Sequence, residues 1–511
     1  MNSSPRALSG LPVVETIGDP DVIVIGAGIA GLTSAALLAT TGRKVLVLEG
    51  IHYPGGCASS YEKDGAVFDV GATTFSGIAP GQPLRALFDI IGEFDALLPA
   101  DPPMGVSMNA RTLHRSPDRF SWYEQVRDHF GQDQRAFWDE LRHFSDAAYG
   151  MLTAVRHLPP LTPLEALADL RSLQPAVLRH LPHVLSPIAS RIQRHGLSDP
   201  EFRRFIDAQL LITSQASSSH IPFLAGALGL TYPDYPVFSV AGGMIAYARF
   251  LEERLHSAGG YVEYLQRVVA VTRESGGWSV RTARGTVYTS PVVVSSVPIF
   301  NLPAIFDGEA ANYFRRIVRR IESSGVTLWG AFTVYALVES ELVKEVPINL
   351  QVILPHALEY CGSSTLFCSF SHPADARRAP DGYRALTIST HIRRDHPALL
   401  QRGEQRKAWK AYAAAEVEVA LRSHVPELRE FRFSRIQCGT PTTFEKYTGR
   451  LDGLVGGLPL DRRLFPFRFP SPKTPFEGVY LCGDTIFPGQ GLPGVTLGAL
   501  ALYNRFRMMD E

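Results

Sequence analysis

Short runs of consecutive apolar residues, each followed by a glycine turn, mark the two ends of this chain. Residues 21–26 are rich in Val and Ile, the pattern of a strand buried on both faces. The Ala- and Leu-rich residues 29–41 predict a helix that ends near Gly42, and residues 44–49 predict a second strand. A right-handed parallel crossover requires a unit of this size, so the pattern predicts an α/β fold on a parallel sheet.

The same periodicities return in the middle and at the end of the chain. A helical pattern over residues 244–258 follows Gly242 and Gly243, and residues 440–511 supply a closing strand and helix. Strand-like runs lie between them, around 268–272, 278–282 and 287–295. We therefore expect a flexible leader over 1–20 and one discontinuous Rossmann-like domain over 21–90, 235–300 and 440–511.

Two insertions separate these pieces, at residues 91–234 and 301–439. The first is rich in aromatic residues, Pro and Leu, and its pattern predicts a helical unit. The second has a helical pattern near 405–424 and alternating strand-like runs at 326–337, 366–371 and 384–392, which predict a mixed sheet.

Composition narrows the classes of function. Apolar residues make up 45% of the chain and charged residues 20%, as is typical of a folded soluble protein. The 50 Lys and Arg balance the 50 Asp and Glu, so no basic excess favours nucleic acid as a partner. Five scattered cysteines without a CxxC pair indicate reduced thiols in a cytoplasmic protein, and no metal-ligand spacing stands out. No run reaches the roughly 18 apolar residues of a membrane span.

The first glycine cassette has the chemistry of a dinucleotide site. Gly26 permits a tight turn, Gly28 lets the backbone approach a pyrophosphate, and Gly31 lets the helix pack on the strand. The helix that begins at Ile29 and Ala30 directs free N–H groups and its positive dipole end at the phosphates. At the end of the second strand, Glu49 is placed to accept hydrogen bonds from both hydroxyls of an adenosine ribose.

The turns that follow favour FAD over a nicotinamide cofactor. A ligand held by both ends of the chain must be long, and FAD has that length whereas NAD does not. Asp484 follows Gly483 at the end of the closing strand and is expected to accept from ribityl hydroxyls. The helix predicted to begin at Gly494 and Val495 directs its N–H groups and dipole at a reduced flavin ring. The other expected cofactor contacts lie in glycine-rich turns and at one strand start, namely Gly55, Gly56, Cys57, Ala58, Gly71, Ala72, Thr73, Val268 and Gly491.

Four motifs resemble those of the phytoene desaturase-like family, the FAD-dependent carotenoid desaturases and cis–trans isomerases. The motifs are PGGCASS (54–60), FDVGATTFSG (68–77), GTPTTFEKYTGR (439–450) and YLCGDTIFPGQGLPGV (480–495). The GGCA turn and the FPGQG turn are most similar to the late-pathway branch, which contains carotenoid 3,4-desaturases and carotene isomerases.

The resemblance implies an amine-oxidase/glutathione-reductase-like flavoenzyme at a membrane surface. It implies that residues 91–234 contact the membrane and the substrate, and that residues 301–439 bind substrate on their mixed sheet. A lipophilic polyene would reach the flavin through an apolar tunnel, and a hydride would pass from carbon to flavin N5 as the adjacent carbon loses a proton. Quinone or oxygen would then take the electrons.

Our first hypothesis is therefore a peripheral membrane carotenoid desaturase, with the end-group 3,4 position preferred. A carotene cis–trans isomerase that uses reduced flavin is the alternative within the family. A flavin amine oxidase and a non-catalytic polyene carrier are the alternatives from other classes.

Residues 164–197 are the candidate for membrane contact. Leu, Val and Ile recur there at mixed three- and four-residue spacing, and the later half is basic, as in a helix that lies on a lipid surface. A helical hairpin that packs on its own domain, with its basic residues merely solvated, is the alternative.

The sequence fixes no catalytic residue. Glu445 and Lys446 precede the flavin cassette and are candidates for assisting proton removal, whereas a surface ion pair beside a structural turn is the alternative. His391 lies on an alternating strand and is a candidate for facing the substrate tunnel. A core histidine with satisfied hydrogen bonds is the alternative for that residue.

Overall fold

The computed structural model describes residues 19–154 and 183–510, together with Pro159 and Glu165. Most of the predicted leader and of the 164–197 segment lies outside the described residues. Among the helices in these ranges, none combines the length and the hydropathy that a membrane crossing requires.

A five-stranded parallel sheet carries the amino-terminal glycine cassette. The first strand lies at its centre, because the strand order is β10-β2-β1-β14-β20 and every neighbouring pair is parallel. Its strands are β1 (Val22–Ile25), β2 (Val45–Leu48), β10 (Tyr261–Glu263), β14 (Val292–Ser295) and β20 (Val479–Leu481). The amino-terminal and carboxy-terminal strands are therefore separated by one strand, and their carboxyl ends lie at the same edge.

Alternate side chains of this sheet face two different layers. Val22 and Val24 pack against helices, whereas Ile23 and Ile25 pack against a small antiparallel sheet on the opposite face. The helical layer contains α1 (Ile29–Ala39), α2 (Pro83–Ile91), α8 (Ile245–Ser257) and α13 (Gly491–Asp510). The small sheet contains β11 (Val268–Glu274), β12 (Gly277–Thr282) and β13 (Val287–Ser290).

A seven-stranded mixed sheet forms the second half of the molecule. Its order is β19-β15-β18-β17-β16-β7-β8, and all pairs are antiparallel except β16 with β7. The strands are β7 (Met104–Met108), β8 (Arg111–Arg115), β15 (Trp329–Glu339), β16 (Asn349–Ile353), β17 (Thr365–Phe370), β18 (Tyr383–Arg393) and β19 (Ser434–Gly439). Helix α11 (Gly403–His424) packs on one face through Trp409, Val417 and Leu421. Strands β7 and β8 fall within residues 91–234, for which the sequence pattern predicted helices.

Helices and short strands complete the described chain. The helices are α3 (Arg119–Phe130), α4 (Arg135–Ala154), α5 (Ile188–Arg194), α6 (Pro200–Ser214), α7 (Phe223–Thr231), α9 (Leu302–Ile305), α10 (Gly308–Glu322) and α12 (Pro441–Thr448). The short strands are β3 (Ser60–Lys63), β4 (Ala66–Asp69), β5 (Phe75–Ser76), β6 (Leu97–Pro99) and β9 (Val237–Val240).

A buried ion pair ties the mixed sheet to the helices. Arg115 on β8 has a fully buried side chain (0% exposed) and pairs with Asp234. Its guanidinium lies 4.3 Å and 4.9 Å from the ring centroids of Trp122 and Trp138, and it donates to the Leu230 carbonyl at 3.0 Å. Since Leu230 is in α7, this cluster fixes the position of that helix.

The described part of the candidate membrane segment, residues 183–197, turns two basic groups inward. Arg191 is 3% exposed, and its Nη1 lies 3.6 Å from Glu140 Oε1. His195 Nε2 lies 2.7 Å from the other oxygen of Glu140, whereas Arg194 is exposed. Within residues 183–197, therefore, Arg191 and His195 bind a carboxylate of α4 and are not free for lipid phosphates.

Candidate functional site

The carboxyl ends of the central strands open into a cavity of about 890 Å³. Every predicted cofactor contact except Gly31 lines it. The lining includes Gly26, Gly28, Ile29, Ala30, Glu49, Gly55, Gly56, Cys57, Ala58, Gly71, Ala72, Thr73, Val268, Gly483, Asp484, Gly491, Gly494 and Val495. Residues from both ends of the chain therefore meet around one space.

The glycines of the first turn differ in what surrounds them: two are in close packing contact, and one faces open space. A Cβ on Gly31 would lie 2.0 Å from the Gly26 carbonyl oxygen, so this position allows α1 to pack against the turn. Gly26 has a φ of +98°, and a Cβ there would lie 2.6 Å from Ser296 Oγ. Gly28 differs, because an added Cβ would meet nothing within 4 Å and would point into open space. As the N-cap of α1, Gly28 leaves the first N–H groups of that helix without a side-chain cap.

Backbone N–H groups fix the predicted ribose acid at this turn. Glu49 Oε2 accepts from Ala27 N at 2.7 Å, and Oε1 accepts from Ile51 N at 2.9 Å. Burial raises the pKa of Glu49, while these hydrogen bonds and the charge of Arg267 oppose the rise. The carboxylate thus lies in the cavity wall with a fixed orientation.

The second and third glycine turns are bonded to the first. Gly55 N donates to the Ala27 carbonyl at 2.8 Å, and Ala72 N donates to the Cys57 carbonyl at 3.1 Å. A Cβ on Gly71 would lie 3.0 Å from that same Cys57 oxygen. The three turns therefore form one continuous backbone wall, and side chains larger than hydrogen at Gly71 would disturb it.

An ion pair occupies the far end of this wall. Arg450 Nη2 donates to Asp484 Oδ2 at 2.6 Å, and its Nε donates to the Leu454 carbonyl at 2.6 Å. Burial raises the pKa of the adjacent Cys57 thiol, which stays protonated. Sequence reasoning expected Asp484 to accept from a ligand but did not predict Arg450, although this residue ends the GTPTTFEKYTGR motif.

The last helix begins earlier than the sequence predicted. Helix α13 starts at Gly491 rather than Gly494, so residues 491–495 all belong to its first turns and line the cavity. Two helix N-termini, those of α1 and α13, therefore border the same space. Both direct partial positive charge at it, as an anionic or electron-accepting ligand requires.

Another part of the cavity wall is mainly apolar. Its side chains come from α4, α6, α7, β17 and the loops before and after β20, namely Tyr149, Leu152, Ile212, Leu224, Leu228, Phe367, Leu460, Phe465 and Phe487. Among the described residues, the carboxylates that line the cavity are Glu49 and Asp484. The first is at the dinucleotide turn and the second is paired, so the apolar part presents no free negative charge from these residues.

The three catalytic candidates occupy different positions. His391 on β18 lines the cavity and packs edge-on against Trp329 at 5.5 Å between ring centroids. Its ring nitrogens have no hydrogen-bond partner within the described residues, which differs from a satisfied core histidine. Glu445 and Lys446 are exposed on α12 and do not line this cavity, whereas Phe444 of the same helix does.

Acid is expected to destabilise the protein through His391. Burial lowers the pKa of His391 from 6.5 to about 4, so the folded state stays neutral where the unfolded state takes up a proton. The free energy of unfolding should therefore fall by roughly 2–3 kcal/mol as the pH drops through this interval. Urea unfolding at a series of pH values should show that the free energy of unfolding of His391→Phe falls less steeply with acid than that of the wild type. Equal slopes for the two proteins would contradict the assignment.

Comparison with known proteins agrees with this geometry. A family model described as an NAD(P)-binding Rossmann-like domain matches residues 24–91. A chloroplastic prolycopene isomerase of Daucus carota is 25% identical, over 96% of this chain and 81% of its own length. A zeta-carotene-forming phytoene desaturase of Myxococcus xanthus is 24% identical, over 95% of this chain and 93% of its own length.

Solved structures share the fold. Wild-type putrescine oxidase bound to putrescine superposes with a TM-score of 0.62 at 16% identity, covering 97% of this chain and all of that one (100%). The likeness spans both chains almost end to end, so the two proteins share one overall fold. Together these matches agree with the resemblance: over almost its whole length, the chain is similar to a carotenoid isomerase and a carotenoid desaturase.

Proposed function

We propose that this protein is an FAD-dependent enzyme that introduces a carbon–carbon double bond into a carotenoid, with the end-group 3,4 position preferred. One observation carries the proposal. The glycine-lined wall and the apolar wall belong to a single cavity, so a dinucleotide in the first part would face an apolar substrate in the second.

The choice of FAD rests on the two helix N-termini that border the cavity. Gly28 and Glu49 would hold the pyrophosphate and the adenosine ribose, whereas the Arg450–Asp484 pair and the start of α13 would hold the flavin end. When bound, FAD supplies the acceptor for a hydride. The helix dipole and Arg450 stabilise negative charge at that end of the cavity.

The apolar wall favours a polyene over an amine. A charged ammonium group would find no free counter-charge among the described residues of this wall, because the two carboxylates in the lining are engaged elsewhere. Leu224, Leu228 and Phe367 instead provide a surface for a long hydrocarbon.

His391 is the described residue best placed to take the proton that desaturation releases. It lines the same cavity as Phe367, and its ring nitrogens have no hydrogen-bond partner among the described residues, while its low pKa keeps it neutral near pH 7. It is therefore a weak base, which suits a reaction whose developing charge is spread over a polyene. Quinone or oxygen would reoxidise the cofactor.

The second candidate function is carotene cis–trans isomerisation with reduced flavin. It is favoured by the prolycopene isomerase that matches 96% of this chain. Isomerisation needs the same cavity but no net electron acceptor.

Turnover distinguishes the two reactions. FAD-loaded protein should be incubated in liposomes with neurosporene, a hydroxylated lycopene derivative and poly-cis lycopene, with absorption and mass read for each. A longer absorption maximum with loss of two hydrogens supports desaturation, whereas an unchanged mass with altered geometry supports isomerisation. No change with any polyene in the oxidised or reduced enzyme would overturn both.

Substrate entry from a membrane surface is proposed at residues 460–469. Leu460 and Phe465 of this loop line the cavity, while Phe467 is 83% exposed and lies in the sequence between the exposed Arg462 and Arg468. An exposed aromatic residue with flanking cations is suited to the interface of an anionic bilayer.

Phe467→Ser should weaken binding to anionic vesicles about tenfold, since the burial of one Phe side chain is lost. Phe120 on α3 is also exposed (71%) but lies outside this loop, so Phe120→Ser is the matched control. Co-sedimentation with vesicles measures both. Equal losses in the two variants would argue against this loop as the contact.

A further inference from the structure

A second, smaller cavity of about 290 Å³ lies on the other side of α12 from the cofactor cavity. Arg406 and Lys410 enter it from α11, one helical turn apart, and Lys446 enters it from α12. The rest of the lining is mainly hydroxyl groups and one thiol, from Thr440, Thr442, Thr443, Tyr447 and Cys438. Three cations thus converge on one concave surface.

None of these three cations pairs with a carboxylate in the part of the chain that the structure describes. Lys410 Nζ donates to the Cys438 carbonyl at 3.0 Å, and Arg406 Nε donates to the Gln401 carbonyl at 3.0 Å. Lys446 Nζ lies 4.9 Å from the Tyr447 ring centroid. In contrast, the neighbouring Lys407 pairs with Glu404 at 2.7 Å and points away from the cavity lining.

Among the described residues, the local electrostatics leave this positive charge uncompensated. Burial lowers the pKa of Lys410, and the charge of Arg406 lowers it further, so the two cations repel each other. Burial also raises the pKa of Cys438 to about 11, so the thiol supplies no negative charge. A half-buried cation without a counter-charge is costly unless a ligand provides one.

The start of α12 adds to the positive field. Thr440 is the N-cap, and its N–H donates to Thr443 Oγ1 at 3.1 Å in a capping box. The lining therefore includes the amino-terminal turn of this helix, where the dipole is positive and hydroxyl groups can donate.

We propose that this cavity binds a phosphate group. The cavity has room for a phosphate group, and its donors are cations and hydroxyls, which match a tetrahedral dianion. The source is either a soluble phosphate compound or the headgroup of an anionic phospholipid. The site is independent of the redox chemistry, although Phe444 and Thr448 on the opposite face of α12 line the cofactor cavity.

The test uses the full chain with FAD added, so that the cofactor cavity is filled and does not compete for phosphate. Inorganic phosphate should raise the melting temperature of the wild type above that in chloride of equal ionic strength. Lys410→Met and Lys446→Gln should bind phosphate roughly tenfold more weakly, since each removes a charge-assisted hydrogen bond. Lys407→Gln changes the same charge outside the cavity and should respond as the wild type does.

Flotation with phosphatidylcholine vesicles, with and without phosphatidic acid, separates the two sources. Capture by phosphatidic acid that is lost in Lys410→Met identifies a lipid headgroup, whereas a phosphate response without capture identifies a soluble compound. The proposal fails if the wild type responds to neither probe, or if the Lys407→Gln and Lys410→Met variants behave alike.

Discussion

Gly28→Ala is expected to lower the affinity for FAD about a hundredfold while leaving the empty protein as stable as the wild type. Gly28 has a φ of −67°, which any residue adopts, and the added Cβ meets nothing within 4 Å. The methyl group would, however, stand where a pyrophosphate must approach the N-terminus of α1. Loss of two charge-assisted hydrogen bonds accounts for an effect of this size.

Gly31→Ala is the matched comparison, because the same methyl group is added three residues later. There the Cβ would lie 2.0 Å from the Gly26 carbonyl oxygen, a backbone atom that cannot move aside without shifting the turn. The empty protein should therefore lose at least about 1–3 kcal/mol of its free energy of unfolding. Urea unfolding and flavin fluorescence titration measure the two quantities. A destabilised Gly28→Ala protein, or one that binds FAD normally, would contradict the assignment of Gly28.

Asp234→Ala is expected to reduce the free energy of unfolding by about 3–5 kcal/mol. The substitution leaves the Arg115 guanidinium fully buried between two Trp rings, with the Leu230 carbonyl as its remaining hydrogen-bond acceptor among the described residues. An uncompensated buried charge is much more costly than the loss of an exposed pair. The position of α7, and with it the apolar wall around Leu228, should loosen at the same time.

Arg115→Met should lower the free energy of unfolding by less than Asp234→Ala does. In that variant Arg142 Nη1, which lies 3.7 Å from Asp234, still compensates the carboxylate. Glu93→Ala is the surface control, since Glu93 pairs with Arg85 in an exposed position and should cost less than about 1 kcal/mol. Chemical denaturation measures the free energy of unfolding of the three variants and so ranks their losses. If Asp234→Ala were as mild as Glu93→Ala, the buried pair would have no such role.

Local patterns in the sequence predicted the glycine turns and their flanking elements well, because such turns obey local rules. The predicted and observed bounds differ by at most two residues for the strand at 21–26, the helix at 29–41 and the strand at 44–49. Glu49 directly follows the second of these strands. Backbone geometry decides these features, and the backbone is set by neighbouring residues. The start of α13 was placed three residues late, because Pro493 in its first turn looked like part of a loop.

Features that depend on distant contacts could not be predicted. Residues 104–115 have no strong strand pattern of their own, and they form strands because β7 pairs with β16, more than two hundred residues later. The Arg450–Asp484 pair likewise joins two motifs that the sequence shows separately. The cations of the proposed phosphate cavity lie on two helices, α11 and α12, so no single sequence motif could predict this site.

The most direct measurement is the uptake of FAD by the purified protein. After incubation with excess FAD and removal of unbound nucleotide, the account predicts a yellow protein with one flavin per chain. Heat or acid should release that flavin intact, since no covalent bond holds it, and Gly28→Ala should retain almost none. A wild-type protein that elutes colourless would contradict the claim that the amino-terminal and carboxy-terminal elements bind FAD together. The proposed carotenoid reaction would then have no hydride acceptor.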